Sequence, residues 1–167
     1  ESSYCSFDDG GVFVNNLIPN LEQLGNGNIN FSGTENLGGG LNLEGTSWTA
    51  AGIFSKMSGL PYFAPFSRDA RGRKTCMPGA VTLPDILRDN GYRTVFALGS
   101  DKQFENRDTF LENHGVEIHD INWYKKHGFI PKNYQIFWGF EDEKLYSIAK
   151  QELSELGQSG EPFCYGM

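Results

Sequence analysis

Helical and strand patterns alternate between residues 83 and 166, and this alternation limits the fold more than any other feature of the sequence. Residues 83–90 carry Pro84 in the first turn and Gly91 just past the end, which are typical positions for the start and the stop of a helix. The apolar run 92–98 then predicts a buried strand. Because helices alternating with strands pack on the faces of a sheet, the sequence predicts an α/β fold with a mostly parallel sheet.

Further elements follow the same alternation. A second helix is predicted over 107–113, with Gly115 as its stop, and a short strand over 116–118. The clearest helix covers 142–156, and 161–167 begins like another core strand. Charged residues line one face of the 142–156 helix, and the apolar stripe on its other face consists of Leu145, Ile148, Ala149, Leu153 and Leu156.

Length and charge exclude several classes of protein. A chain of 167 residues can build one domain with a real core but hardly two, so we expect a single domain over 1–167. A net charge of −7 argues against a nucleic-acid-binding surface, and it gives no general attraction to anionic lipid. No segment approaches the roughly 20 apolar residues of a membrane span.

Thr49 stands where a helix over 50–58 is predicted to begin, behind a glycine-rich approach. Ile53, Phe54 and Met57 share one face of this helix, and Gly59 predicts its end. The N-terminus of a helix has unpaired N–H groups and a partial positive charge, so an anionic group can bind there. The Thr49 hydroxyl is therefore either a helix cap or a nucleophile aimed at a bound phosphate, and the spacing leaves both interpretations open.

Several segments carry a resemblance to a known family. Gly-Thr-Ser-Trp-Thr-Ala-Ala-Gly at 45–52, followed by Ser-Gly-Leu-Pro-Tyr-Phe-Ala-Pro-Phe at 58–66, resembles the nucleophile region of bacterial phosphoglycerol transferases. These enzymes decorate periplasmic glucans and are related to lipoteichoic acid synthases, within the alkaline phosphatase/sulfatase superfamily. Glu-Ser at 1–2, Pro-Asn-Leu at 19–21, the segments 83–92 and 104–108, and Trp-Gly-Phe-Glu-Asp at 138–142 match in the same order.

The resemblance implies a fold and a reaction. The fold is an alkaline phosphatase-like sandwich, of which this chain is an internal piece of the catalytic domain, truncated at both ends and expected to be inactive alone. The reaction is a ping-pong phosphoglycerol transfer in which Thr49 attacks a phosphatidylglycerol-like lipid donor. The acceptor is a glycan or a glycerol phosphate. The implied location is extracytoplasmic, in the periplasm or on the outer face of the cytoplasmic membrane, with transmembrane helices outside this chain.

The same resemblance implies a divalent metal site. Glu1 and Thr49 match ligands of the family, and hard oxygen ligands suit Mn²⁺ or Mg²⁺. The remaining ligands, an Asp-His pair and a further His, are expected beyond Met167. Without the resemblance, Glu1 is an exposed terminal residue. His114, His119 and His127 have spacings that do not suit two metal ligands on one helix face.

Arg107 matches an arginine that the synthases use on the phosphoglycerol group, and a guanidinium fork suits a pair of phosphate oxygens. The alternative is a pairing with Asp108 or Glu105 at a solvated helix start. The chain also departs from the synthases at two positions, with Glu105 in place of their tryptophan and Leu98 in place of their substrate histidine. A carboxylate near a phosphate is unfavourable, so the pocket is expected to differ, which favours the glucan-type branch.

Other functions stay open. A phosphoethanolamine transferase is disfavoured because the Ser-Val-Pro-Cys run of that group does not follow Thr49. A sulfatase-like hydrolase is a further alternative, although the pattern Cys/Ser-x-Pro-x-Arg of the sulfatases proper is absent. A non-catalytic member of the fold that binds a glycan or a lipid head group is the alternative from another class.

Overall fold

The structure is a computed structural model that describes residues 13–29, 43–63 and 75–167. The chain forms two compact units, Glu1–Leu43 and Glu44–Met167, which are described separately. The prediction of one domain over 1–167 stays a prediction. In the first unit, Pro19–Asn26 forms helix α1, which has Pro19 in its first turn and Glu22 near its start. In the described parts of the chain, no helix is long and apolar enough to cross a membrane.

The described part of the second unit is a three-stranded sheet with helices around it. Its elements, in chain order, are α2 (Thr49–Ser58), α3 (Leu83–Asp89), β1 (Arg93–Ala97), α4 (Arg107–Asn113), β2 (Glu117–His119), α5 (Ile121–Lys126), α6 (Asp142–Gln158) and β3 (Phe163–Gly166), with a short 3₁₀ turn at Phe104–Asn106. Both strand pairs are parallel, in the order β2-β1-β3. The predicted α/β class and parallel sheet are confirmed, whereas α5 was not predicted from its pattern.

The two faces of the sheet carry separate cores, because alternate residues of a strand point to opposite sides. Phe96 of β1 and Ile118 of β2 contribute to one core, together with Phe54 of α2 and Phe110 and Leu111 of α4. The other core includes Ala97 of β1 and the side chains Ile121, Tyr124, Ile130, Phe140, Leu145 and Ile148. Helix α2 and helix α6 therefore pack against opposite faces of the sheet.

The predicted stripe of α6 is wrong at one position. Leu145, Ile148, Ala149 and Leu156 are buried as predicted, but Leu153 is 41% exposed and its neighbour Glu152 is only 4% exposed. A buried carboxylate is costly unless it is hydrogen-bonded. Glu152 has such partners, because Tyr124 donates to its carboxylate over 2.9 Å and Tyr165 over 2.6 Å. The pattern of hydrophobic residues along the sequence cannot predict that a charged side chain is buried, because its burial depends on hydrogen-bond partners from other elements.

His119 completes this buried polar network. Its Nδ1 lies 2.5 Å from Glu152, and its Nε2 lies 2.8 Å from Glu117, which Arg93 also contacts through a two-pronged ion pair. Burial alone lowers the pKa of His119, but the hydrogen bonds to Glu152 and Glu117 outweigh it and raise that pKa. The network joins β1, β2, β3, α5 and α6 on one side of the sheet.

Candidate functional site

Thr49 is the first residue of α2, and its side chain is exposed. The residue before it, Trp48, has extended backbone angles (φ −127°, ψ 166°) and holds the N-cap position. No side chain at that position makes a capping hydrogen bond. The interpretation of Thr49 as the helix cap is therefore wrong, because its backbone is already helical and a capping residue lies outside the helix. Its hydroxyl is left at the surface of the first turn.

Helix α2 is fixed at both ends. The approach segment is tied to the chain beyond the helix, since the Tyr62 N–H donates to the Gly45 carbonyl over 2.8 Å. Gly45 has a φ of +80°, and a Cβ there would lie 3.1 Å from Pro61, so only glycine suits this turn. Gly59 ends the helix as predicted, with a φ of 71°.

Phe54 anchors the same helix in the core. It is 2% exposed, and its ring centre lies 5.0 Å from that of Tyr62 and 5.2 Å from that of Phe110. The predicted apolar face is confirmed, since Ile53 and Met57 pack against the same core. Aromatic pairs at these separations contribute about 0.5–1.5 kcal/mol beyond the area that they bury. Thr49 thus lies on a well-supported element rather than on an unsupported loop.

Glu105 caps α2 from a distant part of the chain. Its Oε2 accepts a hydrogen bond from the backbone N–H of Ala50 over 3.1 Å. Glu105 and Asn106 both have a φ of 55°, in the left-handed region, where a residue other than glycine costs about 1–2 kcal/mol. The 3₁₀ turn therefore holds the Glu105 side chain against the start of α2 in a strained backbone conformation.

Arg107 is buried, with 4% of its surface exposed, and its guanidinium holds the preceding turn together. Its Nε donates to the Phe104 carbonyl over 3.1 Å, and its Nη2 donates to the Asp101 carbonyl over 2.7 Å and to Ser100 Oγ over 2.9 Å. Nη1 takes no part in these three bonds. Among the described residues, neither Asp108 nor Glu105 lies within ion-pair distance of Arg107, so the predicted pairing at the helix start is wrong. The predicted contact of Arg107 with substrate stays a prediction.

The start of α2 and the turn before α4 meet at one depression in the surface. It is lined by Ala50, Ile53, Phe54, Tyr62, Cys76, Glu105, Asn106, Arg107 and Phe110. The fold thus brings Arg107 to the helix that begins with Thr49, although 57 positions separate the two residues in the sequence. Glu1, the other predicted metal ligand, lies outside the described residues.

The Trp-Gly-Phe-Glu-Asp segment packs beside this turn. Gly139 pairs with Ser100, and a Cβ at Gly139 would lie 2.4 Å from the Gly99 carbonyl oxygen, so only glycine allows this approach. The Trp138 ring meets Phe104 edge-on at 5.0 Å. Leu98, which stands where the synthases have a histidine, is 7% exposed and belongs to the core on the α2 side.

The described residues do not by themselves form a metal cage. Within 13–29, 43–63 and 75–167, no three His, Cys, Asp or Glu side chains gather in a way that could hold a metal ion. Of the two predicted ligands, only the exposed hydroxyl of Thr49 is described, and one oxygen is far short of the about six that a hard divalent cation takes.

His114, one of the three histidines of the chain, follows the last residue of α4, and its Nδ1 lies 2.7 Å from Asp85.

The sequence is similar to those of curated phosphoglycerol transferases. It is 35% identical over 150 residues to phosphoglycerol transferase I of Xanthomonas campestris pv. campestris strain B100, covering 88% of this chain. It is 32% identical over 164 residues to phosphoglycerol transferase I of Escherichia coli O6:K15:H31, covering 98% of this chain. The chain spans about a fifth of the length of these relatives, 20% of the first and 21% of the second.

The fold is similar to that of one solved structure. A crystal structure of a protein in the alkaline phosphatase superfamily from Vibrio parahaemolyticus matches with a TM-score of 0.52 and 28% sequence identity. The match covers 69% of this chain and 27% of that protein. No protein-family model matches the sequence.

Proposed function

Because the chain is a member of the alkaline phosphatase superfamily and is related over most of its length to phosphoglycerol transferases, we propose that it carries the nucleophile region of a phosphoglycerol transferase. The proposed nucleophile is Thr49, and the proposed donor is a phosphatidylglycerol-type lipid. The proposed acceptor is a glycan or a glycerol phosphate in the cell envelope. This assigns the reaction to the extracytoplasmic side of the membrane, where both are found.

One observation carries the choice of Thr49. Its hydroxyl is exposed on the first turn of α2 and is not used to cap that helix. A phosphate beside this turn would face the positive end of the helix dipole and the N–H groups of the first turn, of which that of Ala50 is held by Glu105. These groups are fixed in place before the reaction, so they would stabilise negative charge on the phosphoryl oxygens without reorganisation. Position and exposure therefore suit a nucleophile.

The proposed transfer has two steps. In the first, a bond forms between Thr49 Oγ and the donor phosphorus, and the bond from phosphorus to the diacylglycerol oxygen breaks. Diacylglycerol leaves with the proton that the threonine hydroxyl loses. In the second, an acceptor hydroxyl forms a bond to the phosphorus, the bond from phosphorus to Thr49 Oγ breaks, and the proton of the acceptor hydroxyl returns to Thr49. Arg107 lines the depression beside the start of α2, together with Ala50, and its Nη1 is the proposed donor to a phosphoryl oxygen.

Enzymes of this superfamily generally use divalent metal ions, and Glu1 with Thr49 is the proposed part of such a site in this chain. When bound, Mn²⁺ or Mg²⁺ supplies positive charge that favours the ionised hydroxyl. Of this pair, the described residues include only Thr49.

The test uses the intact protein, a fluorescent phosphatidylglycerol and added Mn²⁺. Thr49→Ala is expected to abolish release of diacylglycerol, and mass spectrometry of the wild-type protein is expected to find a phosphoglyceryl group on the peptide that contains Thr49. Thr46→Ala is the matched control, because it removes a hydroxyl from the same approach. Full turnover in Thr49→Ala, or loss of turnover only in Thr46→Ala, contradicts the assignment.

A non-catalytic member of the fold gives a different result. It would bind the head group of the lipid without releasing diacylglycerol, and Thr49→Ala would leave that binding unchanged. Circular dichroism and the midpoint of thermal unfolding check that each variant is folded. Since Thr49 is exposed, its substitution is expected to change the free energy of unfolding by less than about 0.5 kcal/mol.

A further inference from the structure

Glu105 occupies a position that the proposed reaction needs for a phosphate. Its carboxylate accepts the N–H of Ala50, the residue that follows the proposed nucleophile. A phosphoryl group bound to Thr49 would lie within reach of the same N–H. Two anionic acceptors cannot both take one donor, and their charges repel each other.

Glu105 makes no close ion pair among the described residues, although its charge acts on the buried guanidinium of Arg107 and raises the pKa that burial lowers. None of the ion pairs within 4.0 Å there involves Glu105, and the nearby guanidinium of Arg107 donates to two carbonyl groups and a hydroxyl instead. The negative charge of Glu105 therefore offsets the positive charge of Arg107 in the depression that both residues line, so an anionic ligand there meets less positive charge than the guanidinium alone would provide.

The backbone keeps this carboxylate at the site. Glu105 and Asn106 are both in the left-handed region, and the buried Arg107 ties down the turn that contains them. A glutamate on an ordinary helix face could turn towards solvent, whereas this one is presented to the start of α2. The arrangement adds negative charge at a place where the helix dipole favours anions.

We propose that Glu105 is a specificity-determining residue that selects phosphodiesters over phosphomonoesters and free phosphate, an inference that rests on the proposed function. A phosphodiester carries one negative charge, whereas a phosphomonoester or inorganic phosphate carries nearly two above neutral pH. Repulsion by a fixed carboxylate grows with the charge of the ligand, so the dianion is penalised more strongly. The site thereby accepts a lipid-type diester and rejects the free phosphate that would compete with it.

The test measures binding rather than turnover, in the intact protein at about pH 8, by isothermal titration calorimetry. The two probes are inorganic phosphate, a dianion, and glycerophosphoglycerol, a singly charged diester. Glu105→Gln removes the charge but keeps an oxygen that can accept the Ala50 N–H, and Glu105→Ala removes both. Glu143→Gln removes the same charge from the exposed start of α6, which packs on the opposite face of the sheet, and is the matched control.

Both Glu105 variants are expected to bind inorganic phosphate about tenfold more tightly than the wild type, and the diester no more than about threefold more tightly. Glu143→Gln is expected to bind both probes as the wild type does. Equal gains for the two probes, or no gain in Glu105→Gln, overturn the proposal. If Glu105 only positions α2, Glu105→Gln behaves as the wild type and Glu105→Ala weakens both probes, which also overturns it. The binding measurement does not require turnover, so it tests the role of Glu105 alone. The transfer assay tests the role of Thr49 as nucleophile, and the two proposals can therefore fail independently.

Discussion

His119 at the end of β2 and Glu152 on α6 lie 2.5 Å apart, through Nδ1 and Oε1, in the interior beneath one face of the sheet. Burial alone raises the pKa of Glu152, but its hydrogen bonds with His119, Tyr165 and Tyr124 outweigh burial and lower that pKa. The same contact raises the pKa of His119, so the pair is held in its charged form. A charged pair of this kind makes stability depend on pH.

The first prediction concerns that dependence. The raised pKa of His119 stabilises the fold fully below its ordinary value of 6.5, and this stabilisation is lost as pH rises through the folded-state pKa. The lowered pKa of Glu152 stabilises the fold above its ordinary value of 4.5, and this is lost as pH falls through its folded-state pKa. We expect the contribution of the pair to be largest between these two values. Urea unfolding measured at a series of pH values checks this.

His127→Gln is the control for that series. His127 is exposed, its Nδ1 lies 2.8 Å from the Trp123 carbonyl and its ring stacks on Trp123, so the variant removes a histidine without removing the carboxylates that hold His119. The loss of stability that His119 causes above pH 6.5 is therefore expected to persist in this variant. A wild-type stability that stays level as the pH rises from 6.5 would show that His119 is not held in its charged form.

The second prediction is that Glu152→Gln destabilises the fold by about 1–3 kcal/mol. The amide keeps the size of the side chain, but it replaces a charged acceptor that serves His119, Tyr124 and Tyr165. Glu155→Gln, in the same helix but exposed, is expected to change the free energy of unfolding by less than about 0.5 kcal/mol. Chemical denaturation measures the free energy of unfolding of both variants. If Glu152→Gln is as stable as Glu155→Gln, the buried network does not contribute to the stability of the fold.

The third prediction concerns two glycines with opposite surroundings. Gly139→Ala places a Cβ 2.4 Å from the Gly99 carbonyl oxygen, so the two chain segments must separate, and we expect a loss of at least about 2 kcal/mol. Gly157 lies in α6 with nothing within 4 Å of an added Cβ, and Gly157→Ala should stabilise the helix by up to about 1 kcal/mol. Thermal unfolding should shift in opposite directions for the two variants. A tolerated Gly139→Ala would contradict the close approach.

The fourth prediction tests the buried role of Arg107. Arg107→Lys keeps the positive charge but cannot reproduce the fork that reaches Ser100, Asp101 and Phe104, so we expect a loss of about 2–3 kcal/mol. Lys102→Gln breaks an exposed ion pair with Glu112 in the same region and should cost less than about 1 kcal/mol. If Arg107→Lys is as stable as the wild type, the three hydrogen bonds contribute little.

The predictable part of this fold came from local signals. Pro84, Gly91 and Gly59 marked helix ends because proline and glycine have backbone preferences that act without tertiary contacts. Helix α5 is six residues long and too short for a clear apolar period, although Asp120 does cap it by accepting the Trp123 N–H over 2.8 Å. Its pattern was therefore missed.

The sequence by itself determined the α/β class, the parallel sheet and the helix that begins at Thr49. Hydrophobic periodicity and turn residues indicate these features because both depend only on residues that are close together in the sequence. Only the tertiary structure decided which polar groups are partners. It buried Glu152 against His119, turned Arg107 inward onto its own loop and brought the Glu105 carboxylate to the N–H of Ala50. The contacts of Glu152 with His119 and of Glu105 with Ala50 join residues that are far apart in the sequence. The energies of all three contacts depend on distance and burial, which no local pattern encodes.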